Sequence, residues 1–431
     1  MVIIEGFQAA KAALSRLSRS ALMRETPDAG DREQVVRQIV EGVRSRGDAA
    51  LFDHTLKFDG VKLTSLEVTK EQIAGAYREV DSEVVSALKL AAERIRSFYT
   101  IQKKEFLSGV TKSGSGQLVH PLGRVGVYAP GGTASYPSTV LMAAIPARVA
   151  GVKEVILVTP PGLNGAVPPS TLVAADMAGI DHLFSVGGAQ AIAALAFGTD
   201  SIPGVDKVCG PGNIFVVLAK KMVYGAVDID GLQGPSEVLI IADGTANPDY
   251  CAADLLAQAE HDPLASAILI ATSRGLADEV NQRIEQQLKD LPRQSIATES
   301  LNNRGKIVVV NDVDEAIELA NLYAPEHLCL MVDRASSYLD KVSNAGCIFI
   351  GGNSTVVLGD YVAGPSHVLP TGGTARFSSA LNIMDFIKFM NLVNIDRADL
   401  NQMGWAAATI ARAEGFEAHA RAVEKRLEEL G

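Results

Sequence analysis

The sequence contains few cysteines, and their positions argue against two kinds of site. Only four of its 431 residues are cysteine, at Cys209, Cys251, Cys329 and Cys347, and no two of them form a C-x-x-C pair. The pattern therefore indicates neither a zinc site built from thiolates nor a disulfide framework.

Long apolar runs and basic clusters are also missing. No apolar run reaches the roughly 18 residues of a membrane span, and the first residues lack the basic and apolar regions of a signal peptide. The net charge is −11 and no Lys/Arg cluster stands out, which argues against a nucleic-acid partner. With 47% hydrophobic and 21% charged residues, the chain is expected to be a cytoplasmic globular enzyme of two or three lobes.

The hydrophobic pattern changes along the chain. Residues 1–125 are predicted to be mainly helical, with apolar residues three and four apart from Val35 to Val43. Short apolar runs alternate with helical segments over residues 124–235 and again over 236–380, which predicts repeated β-α-β units with parallel strands. After about residue 381 the pattern is helical again, and so short a tail cannot bury a core of its own.

Three glycine-rich turns follow predicted strands in the first α/β region. They are Ala129–Gly132, Val186–Gly188 and Gly210–Asn213. Glycine allows close approach of a ligand to the backbone, and helix N-termini favour anions. No G-x-G-x-x-G follows the first strand, so the turns fit either a dinucleotide site or tight structural turns.

Four of the seven histidines have an acidic or amide neighbour with which they could bind a metal or take part in catalysis. These pairs are Gln258 with His261, Glu326 with His327, Asp360 with His367, and Glu414 with His419. Imidazole can bind zinc or act as a general base near neutral pH. From the residues alone, structural alternatives remain open for three of these pairs. The first pair could be a capped helix end, the second an exposed Glu-His pair on the surface, and the last a solvated tail. His54, His120 and His182 are expected to be structural or exposed.

Several motifs together resemble the histidinol dehydrogenase family, and the resemblance covers nearly the whole chain. In family order they are VGVYAPGG, PSTVLMAAIPA, SVGGAQAIAALAFGT, GPGN, GPSEVLIIAD, LLAQAEHD, APEHL, GDYVAGPSHVLPTGGTARF and AEGFEAHARAVE. Each motif is weak alone, but nine in this order are specific. The resemblance implies a zinc- and NAD-dependent enzyme that oxidises L-histidinol through bound L-histidinal to L-histidine, in histidine biosynthesis.

The resemblance also implies roles for individual residues. Glu326 and His327 match the catalytic pair. The implied zinc ligands, which also contact the substrate, are Gln258, His261, Asp360 and His419. Further substrate contacts fall on Ser138, Ser236, His327, His367 and Glu414. The implied NAD contacts are Tyr128, Gln190 and Asn213.

The implied architecture is an intertwined homodimer with two Rossmann-like parallel-sheet domains. We predict an N-terminal helical arm over 1–22, a main α/β domain with the zinc and catalytic residues over 23–127 and 236–380, and an NAD-binding domain over 128–235. A helical tail over 381–431 would complete the site of the partner subunit.

Departures from the family pattern bear on the identity of the substrate and not on the type of reaction. Thr355-Val356 stand where many members have Pro-Glu, Gln233 where a small residue is usual, and Tyr99 where histidine is common. The first alternative is a paralogue with the same chemistry on another small alcohol, such as a sulfonated diol. A second is a non-catalytic metal- or nucleotide-binding protein. A thioester mechanism would need Cys209, for which packing is the expected role.

Overall fold

The computed structural model describes residues 1–18, 29–107, 116–131 and 135–428. Within them the chain forms two units: Met1–Lys103 with Leu122–Phe386, and Lys104–Pro121 with Ile387–Gly431. The predicted domain boundary at residues 22 and 23 and the predicted turn residue Gly132 lie outside the described residues.

The strands of the described chain are short, and most are apolar. In chain order they are β1 (Val2–Glu5), β2 (Gly116–Pro121), β3 (Arg124–Tyr128), β4 (Glu154–Thr159), β5 (His182–Ser185), β6 (Lys207–Cys209), β7 (Asp228–Ile229), β8 (Glu237–Ala242), β9 (Ser266–Ala271), β10 (Lys306–Val309), β11 (His327–Met331), β12 (Cys347–Ile350) and β13 (Ile387–Leu392).

Helices connect most of these strands. They are α1 (Phe7–Ser18), α2 (Ala29–Arg46), α3 (Asp48–Asp59), α4 (Lys70–Ala76), α5 (Ser82–Leu107), α6 (Pro137–Ala150), α7 (Pro169–Ala178), α8 (Gly188–Phe197), α9 (Ile214–Val223), α10 (Pro248–Ala259), α11 (Arg274–Gln287), α12 (Gln294–Arg304), α13 (Val313–Tyr323), α14 (Val356–Tyr361), α15 (Arg397–Ala413) and α16 (Glu417–Glu428). No helix of the described residues is long and apolar enough to cross a membrane.

The larger sheet of the first unit has six parallel strands in the order β1-β10-β9-β8-β11-β12. Every residue of β8 and β9 is buried, as expected for parallel strands covered on both faces. Clusters of apolar side chains lie on both sides of this sheet. Its central strands therefore form a rigid base for side chains at their ends.

The smaller sheet has five parallel strands in the order β5-β4-β3-β6-β7. The chain runs outward from β3 to β5 and then returns to β6 on the other side of β3. This reversal is a topological switch point, where open α/β sheets bind ligands beyond the carboxyl ends of their strands. The two parallel sheets confirm the predicted α/β fold class.

Two strands lie where the sequence predicted helix. β1 pairs in parallel with β10 at the edge of the larger sheet, within the segment expected to be a helical arm. β13 pairs antiparallel with β2 in the second unit, at the start of the tail that was expected to be helical. Both are edge elements, which makes their local apolar signal weak.

The second unit consists of this two-stranded ribbon and the helix pair α15–α16. The two helices pack closely at Gly404, where an added Cβ atom would lie 3.1 Å from the Val423 side chain and 3.2 Å from the Leu427 side chain, so a larger residue would displace these side chains. Of the two helices' residues, only Gly404, Ala408 and Ala420 are buried. Trp405 is 67% exposed. The described residues of this unit thus form no substantial core, in agreement with the argument from its length.

Candidate active site

The Glu326-His327 pair lies at the start of a central strand of the larger sheet. Helix α13 ends at Tyr323, and Ala324 takes a left-handed conformation (φ 55°) that turns the chain back. Pro325 and Glu326 follow, and His327 opens β11 between β8 and β12. Both side chains are buried. The pair is therefore not the surface pair that the sequence left open.

Hydrogen bonds at one oxygen fix the Glu326 carboxylate. Its Oε2 accepts from the Ser236 hydroxyl at 2.5 Å and from the backbone N–H of Glu237 at 2.8 Å. Burial raises the pKa of Glu326, while His327 and these donors oppose that rise. A carboxylate with an elevated pKa is a better base than an exposed one.

The backbone of Glu237 also determines the tautomer of His327. The Nδ1 atom of His327 lies 2.9 Å from the carbonyl oxygen of Glu237, so Nδ1–H donates there and leaves Nε2 to accept a proton. Nε2 is buried, has no hydrogen-bond partner among the described residues and lies 3.5 Å from Oδ1 of Asp360. Burial lowers the pKa of His327, but Glu326 and Asp360 outweigh it and raise the pKa to about 9.

A loop opposite the pair carries Asp360 and His367. Asp360 lies in the short helix α14, and its carbonyl oxygen accepts from Nδ1 of His367 at 2.8 Å. Nε2 of His367 lies 3.3 Å from the Thr139 hydroxyl on α6, beside Ser138. His327, Asp360 and His367 line one cavity of about 300 Å³, which is large enough for a small polar substrate.

Tyr99 holds this loop in place, a role that the sequence did not reveal. Its side chain is fully buried, and its hydroxyl donates to the Leu381 carbonyl and accepts from the Ser366 N–H, both at 2.9 Å. Ser366 precedes His367 directly. The tyrosine at this departure from the family pattern therefore positions the loop that carries His367.

The other predicted ligands of the first unit lie at the end of α10. The Gln258 side chain is buried, and its Nε2 has no partner within the described part of the chain. His261 follows two residues after the helix. Although part of its side chain is exposed, desolvation lowers the pKa of the ring, and the charge of Asp360 opposes this. Gln258, His261 and Asp360 thus belong to one neighbourhood.

A hydrogen bond joins the two helices that carry these residues. The Thr355 hydroxyl, at the start of α14, donates to the buried Asp254 carboxylate of α10 at 2.6 Å. Asp254 lies one helical turn before Gln258, and Thr355 five residues before Asp360. The bond therefore fixes α10 relative to α14.

Glu414 and His419 belong to the second unit. Glu414 directly follows α15 as its C-cap residue, Gly415 has a positive φ of 82°, and His419 lies in the first turn of α16. The predicted break between the two residues is present. The described residues contain no group of three or more His, Cys, Asp or Glu side chains arranged to hold a metal.

The three predicted cofactor residues all lie at the carboxyl edge of the smaller sheet. Tyr128 ends β3, and its hydroxyl accepts from the N–H of Gly188 at 3.2 Å, at the start of the helix that carries Gln190. Asn213 follows β6 and caps α9. At Gly210 a Cβ atom would lie 2.0 Å from the Tyr128 carbonyl oxygen, so only glycine permits β3 and β6 to end side by side.

Cys209 is unsuited to nucleophilic catalysis. It lies at the end of β6 with no exposed surface, and burial raises the pKa of its thiol well above the ordinary value. A thiol in this state is mostly protonated at neutral pH, and the thiolate is the nucleophile. Cys209 has the packing role expected of it.

Known proteins of one family match this chain along nearly its full length. The family model described as histidinol dehydrogenase matches residues 22–427. The histidinol dehydrogenase of Dehalococcoides mccartyi (strain CBDB1) is 55% identical over 436 residues, covering 99% of this chain and 100% of that protein. The chain belongs to the histidinol dehydrogenase family.

Further members agree in sequence and in structure. The histidinol dehydrogenase of Moorella thermoacetica is 52% identical over 397 residues, covering 91% of this chain and 94% of that protein. The crystal structure of the histidinol dehydrogenase from Elizabethkingia anophelis superposes with a TM-score of 0.90 at 36% identity, covering 100% of this chain and 98% of that one. The resemblance inferred from the nine motifs is confirmed.

The two remaining departures from the family pattern are absorbed by packing. Val356 is buried in an apolar cluster below the larger sheet. Gln233 is buried too, and its Oε1 accepts from the Lys220 ammonium at 3.1 Å. Lys220 also pairs with Asp230 and donates to the Gly210 carbonyl at 3.0 Å. Val356 and Gln233 do not line the cavity beside His327, whereas Thr355, the other residue of the first departure, does.

Proposed function

We propose that this chain oxidises L-histidinol to L-histidine in two successive steps with NAD. Family membership makes it an NAD-dependent oxidoreductase, and the names of its relatives favour histidinol over a sulfonated diol. One observation supports the chemistry most directly. The Glu237 backbone orients both Glu326 and His327, and His327 lines the cavity with its Nε2 lacking a hydrogen-bond partner among the described residues.

The side chains of α10 and α14 fit a zinc ion. The buried Gln258 amide lacks a partner for its nitrogen, and rotation by half a turn would present its oxygen instead. A neutral imidazole at His261 and the Asp360 carboxylate would complete the contribution of this unit, a nitrogen and oxygen set that suits zinc. When bound, zinc would supply Lewis acidity toward the substrate oxygen.

In the first oxidation His327 would accept the hydroxyl proton at Nε2. The hydrogen bond from Nδ1–H to the Glu237 carbonyl keeps the ring in the tautomer that this step needs. A cation beside Asp360 would neutralise part of the charge that raises the pKa of His327, and would bring this pKa closer to neutrality. When bound, NAD would supply the hydride acceptor for each oxidation.

In the second oxidation Glu326 would act on water. Its Oε2 is held by the Ser236 hydroxyl and the Glu237 N–H, so the carboxylate is fixed while it removes a proton from the water that adds to the aldehyde. His327 would then take the proton of the resulting hydrate as the second hydride leaves. The net change is loss of two hydrides and three protons, with gain of one water, to give the carboxylate.

We further propose that Ser138, His367 and Glu414 contact the substrate, the last two through its imidazole ring. Nδ1 of His367 already donates to the Asp360 carbonyl. A ring contact of this kind is selective, because a substrate without the ring would leave buried polar groups unpaired. NAD would contact Tyr128, Gln190 and Asn213.

The tail with Glu414 and His419 is proposed to complete the site of a second copy of the chain. Its sparse core and its exposed Trp405 support a partner for this unit. His419 from that copy would then be the fourth zinc ligand of a homodimer.

The yield of NADH from a limiting amount of L-histidinol tests the proposed function. With zinc and excess NAD, we expect two NADH per histidinol, because both oxidations end on NAD. One NADH per histidinol would contradict the second step. No NADH would contradict histidinol as substrate, and turnover of a sulfonated diol would then support the paralogue.

A further inference from the structure

Two hydrogen bonds join the segment before β8 to the loop that follows His367. The Gly234 N–H donates to the Thr371 hydroxyl at 2.5 Å. In the opposite direction, the Gly372 N–H donates to Oε1 of Glu237 at 3.3 Å. We call this pair of bonds the clamp. Its two side chains are buried, with Thr371 1% and Glu237 2% exposed, so water competes little for these bonds.

The clamp encloses the groups that hold the catalytic carboxylate. From Gly234 the chain runs through Pro235 and Ser236 to Glu237. The Ser236 hydroxyl donates to Oε2 of Glu326 at 2.5 Å, and the backbone N–H of Glu237 donates to the same oxygen at 2.8 Å. Both donors therefore lie on the short segment that the clamp binds at each end.

The larger sheet holds one end of this segment, and Thr371 holds the other. Glu237 opens β8, and the carbonyl of Ser236 accepts from the Ser266 N–H of β9 at 3.0 Å. Gly234 lies before the strand, and Thr371 supplies the acceptor for its N–H. The position of the Ser236 side chain thus depends on Thr371 as well as on the sheet.

The local sequence suits both sides of the clamp. The ring of Pro235 fixes its φ, which leaves the segment before β8 few alternative conformations. On the other side, Gly372 and Gly373 have φ values of 63° and 77°, in the left-handed region that favours glycine. The Thr371 carbonyl accepts from the Thr374 hydroxyl at 2.7 Å, which closes this turn. The turn thus presents a hydroxyl acceptor and an N–H donor to one segment.

Displacement of these donors would change Glu326 in a defined direction. Hydrogen bonds to a carboxylate stabilise its charged form and lower its pKa. Burial raises the pKa of Glu326, while His327, the Ser236 hydroxyl and the Glu237 N–H oppose that rise, and the charge of Asp360 adds to it. With a donor lost, Glu326 would keep its own proton to higher pH and would be less available as a base.

We propose that Thr371 is a positioning residue for Glu326, which acts by holding the Ser236 hydroxyl against the carboxylate. The inference rests on the proposed function, in which Glu326 activates water in the second oxidation only. Thr371 itself does not line the cavity beside His327. His327 serves both oxidations, and its ring is bound to a carbonyl of β8, so it depends on the sheet more than on Thr371. Loss of the Thr371 hydroxyl should therefore impair the second oxidation selectively.

Single-turnover rates of the two oxidations in the full-length, zinc-loaded enzyme test this proposal. We would supply histidinol or histidinal with NAD and follow NADH, using wild type, Thr371→Val and Thr371→Ser. Valine has the shape of threonine without the hydroxyl, whereas serine retains the hydroxyl. The matched control is Thr298→Val, because the Thr298 hydroxyl donates to the Gln294 carbonyl within its own helix. If Thr371→Val does not fold, Thr371→Ala removes the hydroxyl with less change of contacts.

We expect Thr371→Val to slow histidinal oxidation about tenfold and histidinol oxidation by less than about twofold. The acidic limb of the pH profile of histidinal oxidation should move to higher pH by up to about one unit, because the pKa of Glu326 rises when a donor is lost. Thr371→Ser should restore the rate and the profile, and Thr298→Val should match wild type. Equal slowing of the two oxidations, an unchanged pH profile or no restoration by serine would overturn the proposal.

Amide hydrogen exchange of a peptide that contains Gly234 separates this inference from the proposed function. Because the Gly234 N–H loses its acceptor, exchange there should be faster in Thr371→Val than in wild type, whichever substrate the enzyme uses. A wild-type enzyme that oxidises neither histidinol nor histidinal would contradict the proposed function. Unchanged exchange at Gly234 in Thr371→Val would instead overturn the role of Thr371.

Discussion

Replacing Glu237 by glutamine should change how the stability of the protein depends on pH. Glu237 is 2% exposed, its Oε2 has no hydrogen-bond partner in suitable geometry among the described residues, and its Oε1 accepts a 3.3 Å bond from the Gly372 N–H. Burial, followed by the charge of Glu326, raises the pKa of Glu237 from 4.5 to about 8. The neutral acid is therefore the form that the folded protein accommodates.

The direction of the effect follows from this rise. A carboxyl whose pKa is higher in the folded state binds its proton more tightly there, so stability falls as pH increases from 4.5 to about 8 and then levels off. Between about pH 6 and pH 9 this loss is about 2–3 kcal/mol. Glutamine carries no charge, so Glu237→Gln should avoid the loss.

Thermal unfolding of the two proteins across this pH range measures the effect. The unfolding entropy is ~2.1 cal/mol/K per residue. The difference in melting temperature, variant minus wild type, should therefore increase by ~3 °C as the pH is raised from about 6 to about 9. Glu79→Gln, at an exposed carboxyl, should follow wild type throughout. Parallel curves for Glu237→Gln and wild type would refute the argument that Glu237 is neutral in the folded protein.

Three further substitutions test the catalytic and metal-holding groups. His327→Ala should reduce turnover by at least ~100-fold because the general base is lost. Zinc should remain bound, measured as metal content after gel filtration, and loss of zinc would contradict this role. Glu326→Gln should slow histidinal oxidation more than histidinol oxidation in single-turnover assays; equal slowing would argue against water activation. Thr355→Val should weaken zinc binding ~10-fold in chelator competition, because the hydrogen bond between Thr355 and Asp254 that joins α14 to α10 is lost. Ser354→Ala is the control. Unchanged zinc binding in Thr355→Val would show that this hydrogen bond does not position the ligands.

The sequence predicted the parts of the fold that have strong local signals. β8 and β9 are buried on both faces, so each strand after its first residue is a continuous apolar run that the sequence shows directly. β1 and β13 escaped prediction because an edge strand is stabilised by its neighbour and carries little pattern of its own. Tertiary pairing decides such segments.

The residues of the candidate site likewise differ in whether the local sequence reveals their role. Glu326 and His327 stand out because a carboxylate next to an imidazole is chemically informative in any fold. The roles of Glu237 and Tyr99 escaped prediction because both depend on atoms distant in sequence. Glu237 acts through its backbone, 90 residues from His327, and Tyr99 binds Ser366 across 267 residues. Contacts between residues so far apart in sequence cannot be predicted from a local pattern.

The buried ammonium of Lys220 restricts the order in which its neighbours can change during evolution. Gln233 can be exchanged first, because Asp230 and the Gly210 carbonyl would still accept hydrogen bonds from the ammonium. Loss of Asp230 would instead leave a charge in the interior without a counter-ion, an intermediate that selection would remove. Exchange at position 233 is therefore expected to be tolerated alone, whereas exchange at position 220 or 230 is expected to require a change at the other.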